Sequence, residues 1–316
     1  MLTRFCLLLA LLTTPAIAGE VALVLEQTVA GAPFRLGSIY PGERPGSFYR
    51  PDVLRYYISK ITIHHDGTKS THLPDLYLLV DAKELQRYPL GNLDIGSVDS
   101  ISFYIGVDKA RNHLDPATYP DWHPLALKVP SMHWGWAAGY RFVTYEGFAG
   151  TSADKLTAGF QIHTLDNSLY TRVATKASST STAFGIDIPL RADYGQLLAG
   201  LDVSIGLVMH GSTDEAVTLM QNIGSKVYSP GVTASVSTDN STASSLRPNP
   251  ASDVVHLPEG ITAARVVDAS GREVLRSTGA IDGGLLSVST LATGTYHVAM
   301  RLADGELRYA PLVIVR

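Results

Sequence analysis

The chain has 316 residues, 45% hydrophobic and 17% charged, with 25 Lys and Arg against 29 Asp and Glu. That length exceeds what one core usually organises, so two domains are expected. The apolar content is that of a folded protein, and the net charge of −4 gives no electrostatic ground for binding nucleic acid or an anionic membrane.

The first eighteen residues read as a secretory leader. Arg4 supplies a positive charge, Phe5 to Leu12 is apolar but too short to span a bilayer, and Ala16-Ile17-Ala18 has the small-x-small pattern of a cleavage site. Cleavage after Ala18 makes Gly19 the mature N-terminus and removes Cys6, the one cysteine. The mature chain then has neither thiol nor disulfide. A metal site in it must use His, carboxylate, Met or backbone oxygen.

Beyond the leader, period-two alternation dominates. Leu54, Tyr56 and Ile58 change phase to Ile61 and Ile63, which predicts a bulge near Ser59 and Lys60. Ile101, Phe103, Ile105 and Val107 share one strand face, and Phe160 and Ile162 oppose Gln161 and His163. Trp134 and Trp136 have the parity of one strand face, and Leu201 to Met209 also reads as a strand. Asp66-Gly67, Pro41-Gly42 and Asp282-Gly283 are turn signals between such runs. Many short strands with turns predict an all-β fold, a sandwich-like central domain with one short helix. That helix is expected from Ser212 and Glu215, a capping box, through Ala216, Leu219, Met220 and Ile223 to a stop at Gly224. Residues 233–245, mostly Ser, Thr, Ala and Asn, read as a linker, and 246–316 as a small C-terminal β-sandwich.

Three spaced motifs near the C-terminus are Pro248-Asn249-Pro250-Ala251-Ser252, Val266 to Val274, and Leu291-Ala292-Thr293-Gly294-Thr295-Tyr296-His297-Val298. In this order they resemble the sorting domain of type IX secretion (Por system) substrates. The resemblance implies a partner, the type IX secretion machinery, and a destination at the cell surface or outside the cell. Residues 19–232 resemble the MbnP-like copper-binding family. The motifs are Leu54-Arg55-Tyr56-Tyr57-Ile58-Ser59-Lys60-Ile61, Tyr77 to Ala82, Phe103 to Asp108, Met132-His133-Trp134-Gly135-Trp136, Glu146-Gly147 and Phe160-Gln161-Ile162-His163. Some members bind copper through histidines and an oxidised tryptophan. Gln27 stands where a histidine is expected in those members, a departure from their pattern.

Eight histidines fall in the central domain, and imidazole suits copper and zinc. His163 ends a strand on its polar side, His133 adjoins Trp134 and Trp136, and His64 and His65 point to opposite faces. The expected metal site is therefore His163, His133 and His64 with Trp134 and Trp136, holding copper. A redox enzyme acting on a tryptophan is a further expected partner. His72, His113 and His123 read as loop residues, and Asp108, Asn112 and Asp115 as turn caps. No nucleophile elbow, His-Glu-x-x-His, phosphate loop or nucleophilic cysteine is present, so the expected function is metal binding without catalysis. The alternative is a surface-attached recognition or structural β-module without metal.

Overall fold

The computed structural model describes residues 19–84, 86–182, 185–231, 246–268, 273–278, 284–302 and 307–316. The leader, the linker and the turns at 269–272 and 282–283 lie outside the described residues. The chain is all-β, as its alternation predicts. In the N-terminal body the strands are β1 (Gly19–Val29), β2 (Ala32–Pro33), β3 (Tyr40–Pro41), β4 (Phe48–His65), β5 (Lys69–Asp81), β6 (Arg87–Leu93) and β7 (Val98–Ile105). They continue with β8 (Val143–Gly150), β9 (Ala158–Thr164), β10 (Thr171–Lys176), β11 (Thr180–Thr182), β12 (Gly185–Asp193), β13 (Leu207–Gly211) and β14 (Tyr228–Pro230). A one-turn helix α1 (Gly135–Ala138) precedes β8, and α2 (Asp214–Ser225) follows β13. The C-terminal unit contributes β15 (Val254–His256), β16 (Ile261–Asp268), β17 (Glu273–Thr278), β18 (Leu285–Ser287), β19 (Gly294–Leu302) and β20 (Leu307–Ile314).

Two sheets build the N-terminal body. The larger runs β10-β7-β4-β8-β9-β13, with β3 and β5 also paired to β4. The smaller runs β11-β12-β1-β2, with β6 on β1 and β14 on β12. Most pairs are antiparallel, but β1 with β12 and β9 with β13 are parallel, and each parallel pair needs a long crossover. Leu23, Leu25, Tyr56, Ile58, Phe103, Phe160, Ile188 and Leu190 share one buried apolar cluster, and α2 adds Ala216, Leu219, Met220 and Ile223 to it. Three tyrosine hydroxyls inside it satisfy one another: Tyr228 donates to Tyr56 at 2.7 Å, and Tyr56 lies 2.9 Å from Tyr194. Buried hydroxyls need such partners. A second cluster, with Val266, Val298 and Leu312 at its centre, belongs to the C-terminal unit.

The phase change in β4 is a bulge, as expected. Its pairing with β5 slips between Ser59 and Ile61, and Lys60 sits at φ 48°. Two expectations, for α2 and for Leu201 to Met209, need correction in detail. Helix α2 starts after Thr213 with no side-chain cap bond, and it runs through Gly224. Of the run Leu201 to Met209 only the end, from Leu207, is strand. Asp202 caps Ser204 by accepting from its backbone N–H at 2.9 Å, and Gly206 takes φ 90°.

Where β7 and β8 meet along one edge of β4, Tyr57 accepts from the Gly106 N–H at 2.9 Å and donates its own to the Phe142 carbonyl at 3.1 Å. Gly106 has φ 111°, and a Cβ there would stand 2.5 Å from the Phe142 ring. Gly106→Ala should therefore cost about 2–4 kcal/mol, combining backbone strain with overpacking. Urea unfolding checks this; a midpoint equal to wild type would show that the junction tolerates a side chain.

Candidate metal centre

Strand register builds the site. Across the larger sheet Arg55 of β4 faces Thr144 of β8, Thr144 faces His163 of β9, and His163 faces His210 of β13. The two imidazoles stack, centroids 4.2 Å apart and planes within 4°. Glu146, two residues along β8, lies on the same face. Its carboxylate is 2.7 Å from His163 Nε2. That contact makes Nε2–H the donor and leaves the lone pair on Nδ1, which is buried without a hydrogen-bond partner among the described residues. Behind the ring, Thr164 accepts from the Val143 N–H at 3.0 Å and meets Met220 Sδ of α2 at 3.4 Å, which fixes the end of β9.

A tight loop brings the indole. His133 and Tyr140 form an isolated bridge, Trp134 donates to the Gly139 carbonyl at 2.8 Å, and Arg141 donates to Met132 at 2.9 Å. Gly139 has φ 76°, and a Cβ on it would stand 2.6 Å from Asn112 Oδ1. That oxygen accepts from the Tyr140 N–H at 2.8 Å and so pins the loop. The Trp134 ring contacts His210 edge-on at 5.0 Å and His163 at 5.8 Å. The Arg141 guanidinium lies over the indole, 4.6 Å from the ring centre, as a cation–π contact.

The structure brings together two of the five residues expected there. His163 and Trp134 come together. His133 does not join them; its ring packs against Tyr140 at 4.7 Å, on the bridge side of the loop. His64 lies near the far end of β4, opposite Ser70 and Ser100, and its Nδ1 is 2.8 Å from the Ser70 hydroxyl. Trp136 is 82% exposed and offers its carbonyl to His113. The shared strand parity of Trp134 and Trp136 is broken because Gly135, at φ 83°, opens helix α1. Asp108 and Asp115 cap turns as read, accepting from Ala110 and Ala117. Gln27 lies on β1, in the other sheet. Glu146 enters the sequence reading only through the Glu146-Gly147 motif, and His210 and Arg141 have no role in it.

The residues that would hold a metal here are the two imidazoles, stacked face to face. Among the described residues no group of three or more His, Cys, Asp or Glu is placed to hold an ion. Both rings are held below their ordinary value. Burial pushes His163 below its ordinary value; its bond to Glu146 opposes this, while Arg141 and His210 add to it. Burial and Arg141 likewise depress His210, against Glu146.

Fold and site together define an all-β protein with a histidine pair beside a tryptophan. The MbnP family model matches residues 18–218, so the chain belongs to the MbnP family. Among solved structures, MbnP from Methylosinus trichosporium is similar at 15% identity, covering 61% of this chain and 81% of that one with a TM-score of 0.43. No curated protein matches the chain.

The depressed histidines carry a sign. A ring whose folded value lies below its unfolded one contributes stability above the unfolded value, and that stability is lost as pH falls through the folded one. Stability should therefore fall in mild acid. His163→Gln with His210→Gln should make that fall shallower, as measured by thermal unfolding from pH 7.5 to 5.0. Parallel curves for the two proteins would contradict it.

Proposed function

We propose that this chain is an exported, non-catalytic metal-binding protein whose site is the His163–His210 pair beside Trp134, and that its metal is copper. One observation carries this reading: His163 presents a buried Nδ1 with no partner among the described residues, while Glu146 holds the opposite nitrogen. A carboxylate behind an imidazole fixes the tautomer and strengthens the donor, the usual outer support of a metal-bound histidine. His210, on the adjoining strand, supplies the second imidazole. Arg141 and the Gly139 loop hold the indole against both rings. Bound there, copper would supply one-electron chemistry beside an oxidisable ring. Family membership supports a metal-related role, and two neutral nitrogen donors suit copper. A partner enzyme acting on Trp134 would find the indole 42% exposed.

Export is part of the same reading. The leader-like segment 1–18 and the C-terminal motifs support transport by the type IX machinery to the cell surface. Among the described residues no helix is long and apolar enough to cross a membrane. Secreted material should begin at Gly19 on N-terminal sequencing, and a chain truncated after residue 245 should stay in the periplasm. Surface delivery of the truncated chain would overturn the sorting assignment.

A chelator-competition titration tests the metal. Wild type should take up one copper per chain. His163→Ala and His210→Ala should each weaken it at least about tenfold, about 1.4 kcal/mol. His64→Ala and His133→Ala should leave affinity unchanged. Absence of stoichiometric copper in wild type would leave a metal-free recognition module as the function.

A further inference from the structure

Outside the histidine site, one charge cluster joins the two apolar cores. Glu20 of β1 is 4% exposed, and its carboxylate meets the Arg87 guanidinium of β6 at 2.5 Å. Arg87 also reaches Asp187 of β12 at 2.8 and 3.1 Å. The two carboxylates converge because β1 and β12 run side by side, with Glu20 opposite Gly185 and Ala22 opposite Asp187. The C-terminal unit closes the cluster. His297 of β19 places Nε2 3.5 Å from Glu20 Oε2, and Arg265 of β16 donates to the Arg87 carbonyl at 3.1 Å. At the rim, Arg276 of β17 meets Glu84 at 2.7 Å.

A buried ion group is costly unless its members are paired, and this one is completed by side chains from both units. We propose that the face formed by Glu20, Glu84, Arg87 and Asp187 is an interaction surface for the chain's own C-terminal unit, and that a proton on His297 releases that unit. The ring faces Glu20 from β1, Arg87 from β6 and Asp187 from β12. Across its own ladder it faces Val267 of β16 and Pro311 of β20, which carry no charge. Burial is the largest influence on the docked ring and holds it below its ordinary value, with Arg87 adding to this and Glu20 and Asp187 opposing. In a separated unit the ring would stand in water and titrate ordinarily. Docking is therefore at full strength above the ordinary value and declines as pH falls through the docked one. His297 lies in the Leu291 to Val298 segment that resembles a sorting motif. Docking covers part of that segment, and acid uncovers it.

Small-angle scattering on the full chain at pH 7.5 and 5.0 tests the latch. Wild type should be compact at pH 7.5 and show a larger radius of gyration at pH 5.0. His297→Gln should stay compact at both. Arg276→Glu should open the chain at pH 7.5, and adding Glu84→Lys should close it again, which tests the interface independently of His297. Equal wild-type radii at both pH values, acid opening of His297→Gln like that of wild type, or failure of the charge swap to reclose the chain would each overturn the proposal. A concentration-dependent dimer at pH 7.5 would assign the surface to a second copy and overturn it as well.

Discussion

Strand β4 sets the register of everything that surrounds the candidate site. Its eighteen residues bond to β8 and then β7 along one edge, and to β5 along the other. A single row crosses five strands from this axis: Asp81, Arg55, Thr144, His163 and His210. In a sheet a one-residue slip moves every side chain to the opposite face. The bulge at Lys60 is thus more than a local irregularity. It lets the far half of β4 pair with β7 while the near half keeps the register that aligns Arg55 with the histidines. Arg55 also anchors what lies above the row. Its guanidinium ion-pairs with Asp81 at 3.0 Å and donates to the Pro130 carbonyl at 2.8 Å, tying the start of the Trp134 loop to the same sheet face.

The parts of this arrangement that were readable in the sequence are those set by short-range patterns. The phase change from Ile58 to Ile61 marks the bulge, and alternation gives the buried faces of β4, β7 and β9. His163 can be found because Phe160 and Ile162 fix its side of the strand. His210 could not be found the same way. Its partner strand is parallel and lies across a crossover containing β10, β11 and β12, and nothing local in the sequence specifies that pairing. The same limit explains His64. Its parity was right, and it is exposed where His65 is buried, but distance along β4 removes it from the site. Trp134 and Trp136 show the opposite failure. Their spacing imitates a strand, but glycines at 135 and 139 with positive φ turn the chain into a loop that keeps one indole and exposes the other.

The loop is held by polar groups that the apolar pattern does not reveal. Asn112 is fully buried. Its amide oxygen accepts from Tyr140, and its nitrogen donates to Asn167 Oδ1 at 3.1 Å. A buried amide with these partners is worth more than an apolar filler of similar size only because each partner would otherwise be unsatisfied. Gly139 packs against the same amide so closely that any side chain there would displace it. The indole position is thus determined by a contact nearly thirty residues earlier in the chain, between two segments that both lie outside the larger strands.

Electrostatics at the histidine pair limits how the site can work. Arg141 disfavours any added cation, and Glu146 favours it; Glu146 bonds His163, and Arg141 lies over the indole that touches both rings. A cation bound there, as proposed, would meet opposing charges, and donor strength would have to hold it. The stacked geometry sharpens this point. Planes within 4° of each other direct their nitrogen lone pairs side by side and not toward a common point. His163 is held by Glu146 and by the packing of Thr164 on α2, so it is the fixed partner. His210 is exposed on β13, whose open side carries no other strand among the described residues. Rotation about its side-chain bonds is the inexpensive motion by which the two donors could converge. The rigid histidine is therefore the fixed donor of the pair, and the exposed one is the donor that can turn toward it.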